Sequence, residues 1–240
     1  AMNDLENKVA LVTGAGRGIG KAIAVALANA GCRVVLTART VTQLESVQNE
    51  IQGNGGQAVS VASDLTRDEE IERLIAESRR AYGDVEILIN NAGWGKKSTI
   101  VRANVDDWDQ TFRVNLRAPM LLARLLLPAM IEQKSGAIIN ISSVSGKSGE
   151  AGSSAYAASK FGMIGFTQSL YEEVREYGIK ASVILPGFVD TPMIPPVKHL
   201  DRSKMIQPED VADAVLFVLN SSQASCPVEL TIRPQRTPYR

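Results

Sequence analysis

Short apolar runs rich in β-branched residues alternate with longer segments of helical periodicity along this chain, and that alternation leaves few folds open. Val9–Thr13, Val34–Thr37, Ala58–Val61, Ile87–Ile89, Ala137–Ile141, Ala181–Leu185 and Val228–Ile232 read as strands. Between them, Ile19–Ala30, Thr42–Gln52, Asp68–Ala81, Asp106–Glu132, Ser154–Tyr177 and Pro208–Asn220 read as helices, the last with proline in its opening turn. The strands are continuous apolar runs, as expected where both faces of a parallel sheet are covered. The expected fold class is therefore α/β, a doubly wound, seven-stranded parallel sheet with helices on both faces. No linker or repeat divides the 240 residues, so one domain over 1–240 is expected.

Composition narrows the function classes. Lys plus Arg and Asp plus Glu number 26 each, so no bulk field draws nucleic acid or an anionic membrane. The longest apolar stretch, Ala118 to Ile131, is interrupted by Pro119, Arg124 and Pro128, and no membrane span is expected. Ala1 ahead of Met2 reads as a leftover of cloning, and no basic-then-apolar leader follows it; a cytoplasmic location is expected. Cys32 and Cys226 read as reduced packing residues. With His199 the only histidine, neither a histidine-based zinc site nor a Ser-His-Asp triad can readily be assembled, and no metal is expected.

The first strand runs into Thr13-Gly14-Ala15-Gly16-Arg17-Gly18-Ile19-Gly20 and then a helix. Glycines there let backbone approach a pyrophosphate, while the helix N-terminus offers unpaired N–H groups and the positive end of its dipole. The spacing is not G-x-G-x-x-G, since position 19 is Ile, and it fails as a P-loop, since Ala15 and Ala22 replace the required Gly and Ser/Thr. A dinucleotide-binding turn wants an acidic residue about 20 positions on for an unphosphorylated ribose. This chain has Thr37-Ala38-Arg39-Thr40 there instead. Arg39, with Arg17 inside the glycine turn, suits a 2′-phosphate, so the expected cofactor is NADP(H).

Tyr156-Ala157-Ala158-Ser159-Lys160 places a phenol and an ammonium on one helix face. An ammonium beside a phenol lowers the phenol's pKa towards the range useful for proton transfer. Ile139-Asn140-Ile141-Ser142-Ser143 and Asn90-Asn91-Ala92-Gly93 end two other strands at the carboxyl edge, where ligands sit in open α/β sheets. Asn115 interrupts the apolar side of a helix.

Taken together, Thr13-Gly14-x-x-x-Gly18-Ile19-Gly20, Asn90-Asn91-Ala92-Gly93, Asn115, Ser143, Tyr156-x-x-x-Lys160 and Pro186-Gly187 resemble, in order and spacing, the motif series of the short-chain dehydrogenase/reductase family. The resemblance implies a single-domain Rossmann fold and a catalytic set of Asn115, Ser143, Tyr156 and Lys160. In it, Tyr156 protonates the developing alkoxide, Lys160 lowers the Tyr156 pKa and holds the nicotinamide ribose, Ser143 rather than Ser142 bonds the carbonyl, and Asn115 holds a relay water. For the cofactor it implies Gly14, Gly16, Gly18, Ile19 and Gly20 at the pyrophosphate, with Arg17 and Arg39 read at the 2′-phosphate. Asp64 and Leu65 flank adenine, Asn91, Ala92 and Gly93 wall the adenosine side, Pro186, Gly187 and Val189 cradle the nicotinamide, and Thr191 bonds its carboxamide.

Ile138–Ser143 and the run from Tyr156 to Phe166 look closest to bacterial 3-oxoacyl-[acyl-carrier-protein] reductases. Lys134 and Tyr177 stand where those tend to carry two basic residues for an acidic carrier, so one of the two is basic. The ending Val228-Glu229-Leu230-Thr231-Ile232-Arg233-Pro234 resembles that of reductases of hydroxy acids, sugars or small ketones. The expected substrate is a small carbonyl or alcohol, with an acyl thioester as one option. Trp94, Glu150, Phe188 and Met193 are the candidate pocket residues, and Pro192, Pro195 and Pro196 mark a short, open cover from Pro192 to Gln207. Two other classes compete: a non-catalytic NADP(H)-binding sensor or scaffold, which usually loses part of the catalytic set, and an epimerase or dehydratase, which usually carries a larger C-terminal domain. The helices at 106–132 and 154–177 resemble the pair through which family members form dimers and tetramers, so a homo-oligomer is expected.

Overall fold

Val9–Thr13 forms β1, with all five residues buried, as a strand covered on both faces must be. In the computed structural model, which describes residues 5–194 and 199–239, six more strands join it: β2 (Arg33–Thr37), β3 (Gln57–Ser60), β4 (Ile87–Asn90), β5 (Gly136–Ile141), β6 (Ile179–Pro186) and β7 (Glu229–Ile232). All pairs are parallel, in the order β3-β2-β1-β4-β5-β6-β7. The chain winds outward from β1 to β3, then returns to place β4 beside β1, with Val12 opposite Ile89. The carboxyl ends of β1 and β4 therefore diverge, and the crevice between their exit loops is where such a sheet binds ligands.

Helices α1 (Gly18–Asn29), α2 (Val41–Gly53), α3 (Asp68–Tyr82), α4 (Val105–Phe112), α5 (Ala118–Gln133), α6 (Ser154–Val174) and α7 (Pro208–Asn220) cover the two faces. Alternate strand residues point to opposite sides. Ala10, Val12, Val34 and Ile89 meet Ile23, Leu27, Leu44, Val47 and Val215 in one layer. Val9, Leu11, Leu88 and Ile138 meet Ile71, Leu74, Leu122, Leu126 and Leu170 in the other. The expected strand and helix order is present throughout, and the expected Pro195 and Pro196 of the cover lie outside the described residues.

Two helices differ from the sequence reading. The stretch read as one helix over 106–132 is α4 and α5 joined by a π-turn, Arg113–Arg117, which carries Asn115. The helix read to Tyr177 ends at Val174, and a 3₁₀ turn leads to Gly178 at φ 70°. The helical run Val105–Gln133 is also long and apolar enough, at a mean hydropathy of 1.4, to cross a membrane by length and composition. The prolines and Arg124 had argued against such a stretch, but Pro119 sits in the first turn of α5, where an N–H is not needed, and the helix continues through Pro128. In this fold Leu122, Ala123, Leu126 and Met130 pack that run against the sheet.

Candidate active site

The glycine turn owes its shape to close approaches that admit no side chain. A Cβ at Gly20 would lie 2.1 Å from the Gly14 carbonyl oxygen, and Gly18 has φ +55°. Thr13 ties this turn to the loop after β4: its hydroxyl donates to Ile89 O at 3.3 Å and accepts from Asn91 N and Ala92 N at 3.0 Å each. Asn91 Nδ2 returns the contact, donating to the Thr13 and Gly14 carbonyls at 3.0 and 3.3 Å. The N-cap of α1 is Arg17, with no side-chain cap and no acidic residue in the first turn, so the N–H groups there face the crevice unpaired.

Above the turn opens a cleft of about 310 Å³. Of the expected cofactor residues, Gly14, Gly16, Arg17, Gly18, Ile19, Arg39, Asp64, Leu65, Asn91, Ala92, Gly93 and Thr191 line it, together with Tyr156 and Lys160. Gly20 lies beneath the turn, and Pro186, Gly187 and Val189 form its backing rather than its wall: Gly187 N–H donates to Ile232 O at 2.8 Å, and Val189 is buried in the core. Arg17 and Arg39 are exposed, and neither has an ion-pair partner among the described residues. Asp64 is committed to its own turn, accepting from Thr66 N at 3.0 Å and Thr66 Oγ1 at 2.9 Å.

Sequence reasoning missed several cleft residues. Thr40 and Gln43, at the start of α2, and Ser63, beyond β3, line the end that holds Arg39. The Ser63 hydroxyl is buried without a hydrogen-bond partner, a vacancy that a ligand in the cleft can fill. Nothing local distinguishes Gln43 or Ser63. Gly95 was also missed: a Cβ there would lie 2.6 Å from the Tyr156 ring. Of the four candidate pocket residues, Trp94 and Met193 line the cleft. Glu150 and Phe188 do not; Glu150 is exposed beside Lys97 at 3.6 Å, and Phe188 turns its ring edge to Tyr239 at 5.5 Å.

The proton-transfer groups converge from three elements. Tyr156 and Lys160 lie one turn apart on α6, with Lys160 Nζ 5.7 Å from the Tyr156 ring centroid. The Lys160 side chain is buried, its ammonium donating to Ile141 O at 3.0 Å, and burial pulls its pKa down to about 8. Ser143 follows the end of β5, accepts from Ser145 N at 3.1 Å and sits beside the Tyr156 phenol, where its hydroxyl favours the phenolate. Ser142 is otherwise engaged, donating to Lys160 O at 3.1 Å and so fixing strand to helix. The expectation that Lys160 lowers the Tyr156 pKa is corrected. Burial raises it, Ser143 pulls it partly back, and the ammonium donates to Ile141 O.

Asn115 is fully buried. Its Oδ1 accepts from Trp94 N at 2.8 Å, and its Nδ2 donates to Trp94 O at 2.8 Å and Ser159 Oγ at 3.0 Å. Ser159 in turn donates to Tyr156 O at 2.7 Å. The amide thus braces the Trp94 loop against the tyrosine helix, leaving one Oδ1 lone pair and the backbone of the π-turn for any water.

A dinucleotide-type cleft with Tyr156 and Lys160 in its lining and Ser143 beside the phenol defines a class of protein. The family model described as short chain dehydrogenase matches residues 8–201. An uncharacterized oxidoreductase of Staphylococcus aureus is 38% identical over 97% of this chain and 100% of its own length. One of Staphylococcus saprophyticus is 37% identical over the same shares. The crystal structure of a metagenomic short-chain oxidoreductase in complex with NADP superposes with a TM-score of 0.86 at 39% identity, covering 98% of this chain and 100% of that one. The chain belongs to the short-chain dehydrogenase family.

Proposed function

We propose that the protein is an NADP(H)-dependent oxidoreductase that reduces a ketone, 3-oxoacyl or related small carbonyl group to a secondary alcohol. The observation that carries the chemistry is the phenol of Tyr156 one helical turn from the buried ammonium of Lys160, both in the lining of the cleft, with Ser143 beside the phenol. Arg17 and Arg39, without carboxylate partners at the glycine turn and the end of β2, support a 2′-phosphate on the cofactor. The solved relative in complex with NADP supports the same choice. The orphaned Ser63 hydroxyl beside them fits an added hydrogen-bonding ligand.

The nicotinamide, when bound, supplies the hydride. The chain's own residues do the rest. Ser143 donates to the substrate oxygen and polarises the carbonyl. Tyr156 gives its proton to that oxygen as negative charge develops, and in the oxidative direction takes it back. Lys160 would hold the nicotinamide ribose with its buried ammonium, and a relay water would be held at the Asn115 turn.

The substrate class rests on the surface ahead of β5 and β6, at the edge of the sheet away from the cleft. Lys134 caps α5 with its carbonyl 2.9 Å from where Gly178 would carry a Cβ, so Lys134 and the neighbouring Tyr177 share one surface that carries a single one of the two expected cations. That favours a free small carbonyl, such as a diketone, sugar or hydroxy-acid precursor, over a thioester delivered on an acidic carrier. The protein acts as a soluble cytoplasmic homo-oligomer in this reading, with the groove of Leu116, Met120, Leu127 and Phe166 beside exposed Phe112 and Phe161 as the face covered by a second copy.

A screen of NADPH oxidation over acetoacetyl thioesters, diketones and sugars tests the proposal. Turnover on any of these supports an enzyme. Tight NADPH binding with no turnover on any carbonyl would instead establish a sensor or scaffold.

A further inference from the structure

Between β6 and α7 the chain leaves the sheet and comes back to the point of departure. Val189 pairs with Ile206 in a parallel bridge; Ile206 N–H donates to Phe188 O at 2.9 Å and Asp190 N–H to Ile206 O at 2.8 Å. The first turn of this excursion, Thr191 to Ile194, is closed by Ile194 N–H donating to Thr191 O at 3.1 Å. It is also the part that roofs the cleft. Thr191, Pro192 and Met193 face the cavity, and Thr191 Cγ2 lies 3.2 Å from where Gly18 would carry a Cβ. A lone turn has little apolar burial of its own to hold it at that height; Pro192 and Met193 are exposed.

What holds it is Arg202. Its guanidinium donates to Thr191 O and Ile194 O, each at 3.1 Å, and pairs with Asp190. Ion pairs as exposed as this one contribute little to global stability, but a planar fork that reaches two carbonyls and a carboxylate fixes an orientation that a single ammonium cannot. Arg202 opens a 3₁₀ turn whose N-cap Asp201 accepts from Ser203 N at 3.2 Å. The residues before it are held from the far side. Asp201 N–H donates to Pro238 O at 2.7 Å, Leu200 bridges Tyr239, and the Tyr239 ring lies edge-on to Phe188 at 5.5 Å and stacks on His199 at 6.3 Å.

We propose that Arg202 is a positioning residue for cofactor retention, setting the Thr191–Ile194 turn over the glycine turn, and that Tyr239 anchors it from behind. The inference rests on the reading that the cleft holds NADP(H), and it locates part of the grip outside the cleft. Loosening the clasp lets the roof lift without touching the groups that move the proton.

The test is NADPH release by stopped flow, with KM and kcat, single-turnover hydride transfer and melting temperature, for the full chain and for Arg202→Met, Arg202→Lys and Tyr239→Ala. In Arg202→Met the release rate and the KM for NADPH rise by about tenfold, while hydride transfer at saturation is unchanged and the melting temperature stays within about 2 °C. Arg202→Lys falls between the two. Tyr239→Ala gives a smaller rise, and adding it to Arg202→Met brings no further increase, because both act on one clasp. Normal release in Arg202→Met, with NADPH binding intact in the parent, refutes the clasp alone. A loss of melting temperature that accounts for the faster release refutes it as well. A parent protein that does not bind NADPH refutes both the clasp and the cofactor reading.

Discussion

Replacing Lys160 with methionine removes a buried ammonium while keeping most of its stem, and the structure gives a magnitude for the consequence. Burial takes the side chain from 10.5 to about 8. At about 1.4 kcal/mol per pH unit, holding the charged form inside costs roughly 3 kcal/mol. The native pKa lies below the unfolded one, so at neutral pH both states carry the proton and the whole cost is present. Between pH 8 and 10.5 the native side chain loses its proton while the unfolded one keeps it, so the stability of the parent rises with pH. Methionine also forfeits the hydrogen bond to Ile141 O, worth about 1 kcal/mol, which leaves a net gain of about 2 kcal/mol. For a chain of this size that raises the melting temperature by about 4–8 °C at pH 7. Calorimetry of both proteins at pH 7 and pH 9.5 should show the variant melting higher, with the gap narrowing at the higher pH, and no turnover at either. A variant that melts at or below the parent at pH 7, or an advantage that ignores pH, would refute the claim that the chain gives up stability to place this charge.

Three further outcomes are expected. Tyr156→Phe removes the transferable proton and leaves the ring that Gly95 makes room for, so kcat falls by about 10³-fold or more while NADPH affinity, read by fluorescence titration, stays unchanged. Arg39→Asp puts a carboxylate where a 2′-phosphate is expected; the loss of a charge-assisted bond lowers the NADPH-over-NADH ratio of kcat/KM by roughly 10- to 100-fold, and an unchanged ratio removes the cofactor assignment. Gly20→Ala forces a methyl to within 2.1 Å of the Gly14 carbonyl, so the turn must open; the melting temperature drops by several degrees and nucleotide binding is lost, as thermal scans with and without NADPH will show.

The layout of the fold was legible because apolar runs and helical periods are local signals, and the glycine turn because its spacing records a backbone constraint. The break in the helix at Asn115 was not. A π-turn there depends on bonds to Trp94 and Ser159, which lie 21 and 44 residues away, and no window around position 115 contains them. For the same reason the sequence placed Tyr156 and Lys160 on one face but read their electrostatics in the wrong direction. Spacing reports that two groups are neighbours, whereas the depth of burial and the acceptor Ile141 O come from β5, a strand far from α6 in sequence. Glu150 and Phe188 failed as pocket residues on similar grounds, each being claimed by a partner, Lys97 or Tyr239, that chemistry alone could not select.

The Thr13 hydroxyl, which joins the glycine turn to the loop after β4, spans 78 residues of sequence in one hydrogen bond. Everything between, three strands and three helices, must be wound and laid down before that bond can close. Closing so long a loop is an entropic hurdle met late, and parallel pairings of this kind make for slow folding. The crevice is therefore absent until β4 has docked beside β1. A nucleotide bound there, as proposed above, would certify that the crossover from β3 back to β4 has been completed.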